Sequence, residues 1–168
     1  MQKLSPFLWF DDQAEAAAKF YVSVFRKNSK ILKIARYTGS GPGPKGSVMT
    51  VSFRLAGQEL IALNGGPHFK FSPAVSLVVN CTSQREIDYF WKKLSSNPEA
   101  ERCGWLQDKF GFSWQIVPTF IGRVMGAKDT GKADRVMAAV LQMKKLDLAQ
   151  LEAAAAGRAP ASKRKRKP

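Results

Sequence analysis

The sequence predicts one α+β domain built from two similar β-α-β-β-β modules that enclose a cleft, followed by a C-terminal helix. Three observations predict this fold. The chain has 168 residues, 45% of them hydrophobic, which suits one domain with a sizeable core. Short apolar runs alternate with segments of helical periodicity. The order strand, helix, hairpin also occurs twice, and an internal repeat constrains the architecture.

The first module contains four predicted strands and one helix. They are strand 7–10, helix 13–25, strand 31–37, strand 48–55 and strand 59–63. Asp11 and Asp12 end the first strand, and Asp12 is expected to cap the helix. The stretch 38–46 is rich in Gly and Pro and is predicted to be a flexible loop. Ala56-Gly57 between the last two strands is a tight hairpin signal.

The second module repeats this order with shorter connections. Its predicted elements are strand 75–79, a helix ended by Asn97-Pro98, strands 105–110 and 113–117, a short turn or helix at 121–125, and the C-terminal helix 134–156. Thr82 or Ser83 is expected to cap the first helix. The second hairpin is expected to turn at Gly111.

The repeat between the modules has two different shifts. Phe10 aligns with Val79 at a shift of 69 residues, whereas Gly57 aligns with Gly111 at a shift of 54. The second module is therefore shorter by about 15 residues, and its missing length corresponds mainly to the segment 31–46. A half-sheet has an open edge that needs a partner, so two halves placed edge to edge, or exchanged between two chains, would enclose the cleft. The predicted boundaries are 1–150 for the domain, about 1–66 and 72–120 for the modules, and 157–168 for a basic disordered tail.

The charge and composition exclude some classes of protein. The net charge is +14, and six cations lie in the tail, at Arg158 and in the run 163–167, which leaves about +8 on the remainder. The tail is either a solvated end or a source of weak, non-specific affinity for nucleic acid. No apolar run could span a membrane and no signal peptide is visible, so a cytoplasmic location is expected. Two cysteines, Cys81 and Cys103, and one histidine make a Cys/His zinc site improbable.

Five stretches carry a resemblance to a known family. They are Phe7-Leu-Trp-Phe-Asp-Asp, Phe20-Tyr-Val-Ser-Val-Phe, Leu63-Asn-Gly-Gly-Pro-His-Phe-Lys-Phe, Val79-Asn-Cys and Cys103-Gly-Trp-Leu-Gln-Asp-Lys-Phe-Gly-Phe-Ser-Trp-Gln-Ile-Val-Pro. Over residues 3–150 the chain resembles the vicinal oxygen chelate superfamily of glyoxalases, bleomycin resistance proteins and extradiol dioxygenases. Within it the chain is similar to the PhnB-like group, described as 3-demethylubiquinone 3-methyltransferase-like. The resemblance implies paired βαβββ modules, a homodimer and a small-molecule pocket that in many members holds a divalent metal.

The metal is the point at which the chain departs from this pattern. The resemblance implies His, Gln or Glu ligands on the first and last strand of each module. The corresponding residues lie near Pro6 and Ala74 on the first strands, and at Ile61 or Ala62 and at Gln115 on the last strands. Only Gln115 offers a side-chain oxygen, whereas zinc, magnesium and manganese sites need several ligands. We therefore expect no metal and no cofactor.

Four residues are candidates for ligand binding. His68 is either a loop imidazole that fixes the Gly-Gly-Pro turn or a base at the edge of the pocket. Gln115 either orients a polar ligand or is an amide satisfied across the sheet. Trp9 and Trp114 belong either to the core or to the walls of the pocket.

Two other features have structural explanations. Asp11 and Asp12 are explained by the turn and the helix cap, and Cys103 by a structural role. No glycine-rich loop for a methyl donor is visible, so nothing in the residues supports the methyltransferase description of the group.

The functional hypotheses fall into three classes. The leading one is a metal-free small-molecule-binding protein or enzyme of the PhnB-like type, in which His68 would transfer protons. The second is a divalent-metal-dependent lyase, isomerase or resistance enzyme of the glyoxalase superfamily. The third is a nucleic-acid-associated module that uses the basic run 163–167.

Overall fold

The structure is a computed structural model that describes residues 2–158. The chain divides into two compact units, with the boundary between Ser72 and Pro73. The predicted basic run 163–167 lies outside the described residues. Within residues 2–158, no helix is both long and apolar enough to cross a membrane.

The first unit has the β-α-β-β-β order that the sequence predicts. Its elements are β1 (Phe7–Phe10), α1 (Ala14–Phe25), β2 (Lys30–Arg36), β3 (Val48–Leu55) and β4 (Gln58–Asn64). The sheet order is β1-β4-β3-β2, with β1 parallel to β4 and the other pairs antiparallel. Ala56 and Gly57 have φ angles of 47° and 95°, which gives the predicted two-residue hairpin between β3 and β4.

One face of this sheet packs on α1, and the other face does not. The buried side chains alternate along each strand, as a half-buried sheet requires, and meet the apolar stripe of the helix. The core residues are Leu8, Phe10, Ala14, Ala17, Ala18, Tyr21, Val24, Val51, Phe53, Leu55, Leu60 and Ala62. The side chains of Phe7, Trp9, Ile61 and Leu63 lie on the opposite face, which we call the open face of the first sheet.

The second unit repeats the motif with one strand fewer. Its first elements are β5 (Ser76–Cys81), α2 (Gln84–Leu94), a 3-10 turn (Pro98–Ala100), β6 (Trp105–Gln107) and β7 (Ser113–Pro118). The sheet order is β5-β7-β6, with β5 parallel and β6 antiparallel to β7. No counterpart of β2 is present in this described unit, which agrees with the missing length that the two shifts predict. The α+β class with a repeated motif is thus confirmed.

The C-terminal region differs from its prediction. Three helices follow β7: α3 (Thr119–Met125), α4 (Thr130–Leu141) and α5 (Leu148–Ala155). The prediction of a single helix over 134–156 is wrong, because the chain leaves helical geometry between Leu141 and Leu148. Asp147 begins a new helix there by accepting a hydrogen bond from the backbone N–H of Gln150 at 3.0 Å.

The segment 143–148, which we call the C-terminal clamp, breaks the helix because its backbone is bonded elsewhere. The carbonyls of Met143 and Lys144 accept the N–H groups of Cys103 and Gly104 at 2.7 and 2.8 Å. The amide side chain of Gln84 donates to the Leu146 carbonyl and accepts the Leu148 N–H. The helices share their own core of Val124, Val136, Val140, Leu146, Leu151 and Ala155.

Candidate functional site

Trp9 on β1 positions the loop that carries His68. Its indole Nε1 donates a hydrogen bond to the Gly66 carbonyl at 2.9 Å, and its ring meets Phe69 edge to face at 5.0 Å. Gly65 has no room for a side chain, since a Cβ there would lie 2.3 Å from the indole ring. The loop that follows β4 is therefore held to the end of the first strand by this side chain and by two backbone hydrogen bonds, from Gly65 N–H to the Phe10 carbonyl at 2.9 Å and from Gly66 N–H to the Asp11 carbonyl at 3.1 Å.

His68 is exposed at the edge of a cavity of about 640 Å³ in the first unit. Within the described residues its imidazole forms no hydrogen bond, so the predicted alternative in which His68 fixes the turn through a hydrogen bond to the backbone has none to support it. Trp9 performs that task. The polar groups that share the cavity with the imidazole are Asp11, Asp12, Glu15, Tyr37, Ser47 and Asn64.

The inner wall of this cavity is built around Asn64, the last residue of β4. Its Oδ1 accepts the Ala14 N–H at 2.7 Å and its Nδ2 donates to the Val48 carbonyl at 3.0 Å. The hydroxyl of Tyr37 donates to the Asn64 carbonyl at 2.7 Å. One side chain thus connects the start of α1 with β3, and the 38–46 loop folds against the ring of Tyr37.

The helix cap predicted at Asp12 is wrong. The N-cap residue is Gln13, which makes no side-chain cap, and the first helical N–H is satisfied by Asn64. Asp11 and Asp12 remain exposed at the edge of the cavity. Glu15 in the first turn accepts a hydrogen bond from Lys19 at 2.6 Å, and this bond holds the pKa of the Glu15 carboxyl below its usual value.

Gln115 lies on β7, in the second unit, on the face that points away from α2. Its Nε2 donates to the Ser76 hydroxyl at 3.0 Å, which satisfies one donor and fixes the amide. The neighbours of Gln115 across the sheet are Val78, whose side chain is 49% exposed, and Trp105, which is half-buried. A fixed amide therefore lies between one exposed and one half-buried apolar side chain, on what we call the open face of the second sheet.

Trp114 faces the opposite side of the same strand and is 1% exposed. Its Nε1 donates to the carboxylate of Asp108 at 2.7 Å, and its ring packs edge to face on Phe112. Of the two predicted alternatives for Trp114, its position agrees with core packing. Asp108 also accepts the N–H groups of Phe110 and Phe112 at 2.8 and 3.1 Å.

Asp108 was missed by sequence reasoning, although the sequence contains a signal for it. An Asp followed three residues later by Gly is typical of a turn in which the carboxylate accepts nearby backbone N–H groups. These bonds end β6 at Gln107, three residues before the predicted end of the strand. The carboxylate is buried, and it supports the hairpin that carries Gln115.

The strand register refines the expected metal positions. Trp9 pairs with Leu63 in the first sheet, and Val78 pairs with Gln115 in the second, so the repeat equates Leu63 with Gln115. Ile61, the position predicted from the hairpin shift, lies two residues earlier on the same face. Leucine, like the isoleucine, offers no ligand atom.

These residues do not fit a divalent metal at the family position. Pro6 and Ala74 on the first-strand side and Leu63 on the last-strand side supply no ligand side chain, which leaves one neutral amide oxygen from Gln115. In residues 2–158, no three or more His, Cys, Asp or Glu side chains come together as a metal site.

Substitutions at His68 and at Trp9 are expected to change the free energy of unfolding by different amounts, because only Trp9 donates a hydrogen bond to the loop. Replacing His68 by glutamine is expected to change the free energy of unfolding by less than about 0.5 kcal/mol, because the imidazole is exposed and makes no protein hydrogen bond. Replacing Trp9 by phenylalanine is expected to cost about 1 kcal/mol, because the Gly66 carbonyl loses its donor. Urea denaturation measures both changes. A loss above about 1 kcal/mol for His68→Gln would show that the histidine holds the turn after all.

Comparison with known proteins identifies the family. The family described as 3-demethylubiquinone-9 3-methyltransferase matches residues 2–117. The solved structure of the PhnB protein from Bacillus cereus is 40% identical, with a TM-score of 0.59, and the match covers 70% of this chain and 99% of that one. Protein PA1353 from Pseudomonas aeruginosa is 18% identical with a TM-score of 0.52, covers 70% of this chain and 98% of its own, and supports the fold alone.

A search among curated proteins found no match. The family match ends at Val117, so the helices α3 to α5 and the C-terminal clamp lie beyond it. The chain therefore belongs to the PhnB-like family, the one described as 3-demethylubiquinone-9 3-methyltransferase.

Proposed function

We propose that the chain binds a small molecule without a divalent metal. Within the second unit Gln115 on the open sheet face is the candidate polar contact, and within the first unit it is His68 at the edge of the cavity. One observation carries this proposal: three of the four positions that correspond to family metal ligands hold proline, alanine and leucine, and the fourth holds an amide that is already bonded to Ser76. Such a surface can orient a ligand, but it lacks the charge to hold a cation.

The character of the open faces supports a small molecule as the partner. Ligand sites are mostly apolar and contain a few placed polar groups. Phe7 on β1 is 55% exposed and lies on the same face as the ring of Trp9. Val78 on β5 is 49% exposed and pairs with Gln115, whose side chain can form hydrogen bonds. Trp9 adds an indole ring whose polar end is occupied by Gly66 and whose ring remains half-buried.

His68 supplies the proton-transfer capacity of the proposed site. Its imidazole forms no hydrogen bond with the described residues 2–158, so both ring nitrogens are available to a ligand. It shares its cavity with the exposed carboxylates of Asp11 and Asp12. In a reaction that moves a proton, His68 acts as the base or acid, and Asp11 or Asp12 stabilises the protonated imidazole. The description of the family as methyltransferases is not part of this proposal, since no methyl-donor loop is present in the sequence.

The proposal includes a cytoplasmic homodimer. Its support is the free state of both cysteines, Cys81 and Cys103, and the exposed apolar side chains of the sheet faces. Light scattering of the purified protein is expected to give twice the mass of one chain. A mass of one chain at all concentrations would contradict this part of the proposal.

Elemental analysis tests the metal-free character directly. The protein, purified without chelators, is expected to contain far less than one equivalent of Zn, Mn, Ni, Fe or Mg per chain, because the site lacks anionic ligands. Its melting temperature is also expected to stay unchanged after treatment with a chelator. One tightly held divalent ion per chain, or binding restored by Mn²⁺, Ni²⁺ or Zn²⁺, would favour the metal-dependent alternative.

Ligand binding is tested by thermal shift with a panel of metabolites, since a bound ligand raises the melting temperature by mass action. For any ligand found in this way, Gln115→Leu is expected to weaken binding roughly 5- to 10-fold through the loss of one hydrogen bond. Gln142→Leu, at an exposed position of the C-terminal region, is the matched control and is expected to bind normally. Equal affinities for all three proteins would exclude Gln115 from the site.

A further inference from the structure

The second unit contains a separate cavity of about 830 Å³ beside the edge strand β6. Its apolar wall is formed by Trp105, Leu106 and Leu141. Glu99 and Arg102 stand at its exposed edge with opposite charges, so the opening favours neither anions nor cations. The cavity is open enough for a ligand to enter and large enough for a molecule of two fused rings.

The polar residue Ser113 indicates which class of ligand this cavity binds. The residue is 4% exposed, lines the cavity, and lies on the β7 face that also carries Gln115. Its hydroxyl forms no hydrogen bond with residues 2–158. Because every fully buried side-chain oxygen or nitrogen in that range has a partner, the Ser113 oxygen is accessible, and it opens onto the cavity. The opposite residue on β5, Ser76, differs in this respect, because its hydroxyl accepts the amide of Gln115.

Apart from Glu99 and Arg102 at the exposed edge, the other polar side chains around the cavity are either satisfied or are donors. Both ends of the Gln107 amide are occupied: Nε2 donates to the Gly111 carbonyl at 2.9 Å and Oε1 accepts from Asn97 at 2.8 Å. The indole N–H of Trp105, like the Ser113 hydroxyl, has no acceptor in the described part of the chain. The available groups are therefore two unpaired donors next to an aromatic ring.

We infer that this cavity is a ligand subsite for an uncharged aromatic molecule that carries a hydroxyl or carbonyl oxygen. The ring of the ligand packs on Trp105, and its oxygen accepts a hydrogen bond from Ser113. The inference rests on the proposed small-molecule function and assigns a ligand class and an anchor residue to it. A site with an unpaired polar group rejects an analogue that lacks the matching oxygen.

Cys103 provides a direct readout because its half-buried side chain lines the same cavity. The only other cysteine, Cys81, has no exposed surface, and burial raises the pKa of its thiol to about 12. A small alkylating reagent at neutral pH should therefore label Cys103 selectively, and mass spectrometry follows the rate. A molecule that occupies the cavity should slow this labelling.

The probes are 2-naphthol and its analogue 2-methylnaphthalene, which has a methyl group in place of the hydroxyl. With the wild-type chain, 2-naphthol is expected to protect Cys103 at a roughly tenfold lower concentration than 2-methylnaphthalene. In Ser113→Ala this preference is expected to disappear, while the variant folds normally because the hydroxyl it loses was unpaired. Ser96→Ala is the matched control, since Ser96 is exposed and contacts β6 only through its backbone N–H to the Gln107 carbonyl.

The outcomes separate this inference from the proposed function. Equal protection by the two probes in the wild type, or a preference that survives in Ser113→Ala, would overturn the inference. The inference would also be overturned if 2-naphthol raised the melting temperature but did not slow the labelling of Cys103. In that case the protein would still bind a small molecule, but at another site. If neither 2-naphthol nor any metabolite raises the melting temperature of the wild type, the proposed function fails together with the subsite.

Discussion

Replacing Asp108 by alanine is expected to lower the free energy of unfolding by about 3 kcal/mol or more and the melting temperature by roughly 10 °C. The substitution removes the carboxylate that accepts three hydrogen bonds, from the N–H groups of Phe110 and Phe112 and from the indole N–H of Trp114. Because Asp108 is 3% exposed, water cannot easily replace the lost carboxylate. Thermal and urea denaturation measure the change.

The matched control for this prediction is Asp129→Ala. Asp129 is also an aspartate that accepts a backbone N–H, that of Lys132 at 2.9 Å, but it caps α4 at an exposed position. Its loss is expected to cost about 1 kcal/mol, as for an ordinary helix cap. Similar losses for the two variants would mean that the buried carboxylate adds no more than a surface cap. Labelling of Cys103 should also accelerate in Asp108→Ala, because the hairpin beside it loosens.

Replacing Gly104 by alanine is expected to cost about 3 kcal/mol, the sum of backbone strain and overpacking. Gly104 has a φ angle of 84°, which side chains rarely tolerate. A Cβ there would lie 2.9 Å from the Leu146 side chain and 3.1 Å from the Ile116 carbonyl oxygen. Because the Gly104 N–H also donates to Lys144, the change should release the C-terminal clamp.

Gly46→Ala separates the two contributions to this cost. Gly46 has a nearly identical φ angle of 85°, but no atom lies within 4 Å of a Cβ built on it. Its substitution is therefore expected to cost only the strain, about 1 kcal/mol. Hydrogen exchange should show faster exchange of the Cys103 and Gly104 amides in Gly104→Ala and no change there in Gly46→Ala. Equal stabilities of the two variants would refute the close packing at Gly104.

The first unit was largely predictable because its signals are local. The hairpin at Ala56-Gly57 requires positive φ angles, and both residues have them. Alternation of buried residues along β3 and β4 specifies which face meets α1. The start of α1 was mispredicted for a physical reason: the acceptor for its first N–H comes from Asn64, fifty residues away, and no local pattern contains it.

The second unit and its cavity were less predictable because tertiary contacts decide them. The helical periodicity of 134–156 is continuous, yet the backbone between Leu141 and Leu148 bonds to Cys103 and Gly104 instead of continuing the helix. The environment of Ser113 depends on the register of three strands, so its unpaired hydroxyl has no signature in the sequence. Trp9 and His68 could be named beforehand because they belong to recognisable motifs, but their contacts could not be assigned.

The position of the C-terminal clamp has a consequence for the order in which the molecule assembles during synthesis. Every element of the first sheet is made by residue 64, and so this unit can begin to fold while the ribosome is still translating the rest. The second sheet is complete at Pro118, yet the N–H groups of Cys103 and Gly104 obtain their acceptors only when Met143 and Lys144 emerge. Until then the nascent chain has unpaired backbone groups beside β6, and chaperones that recognise exposed chain should engage the second half of the protein for longer than the first.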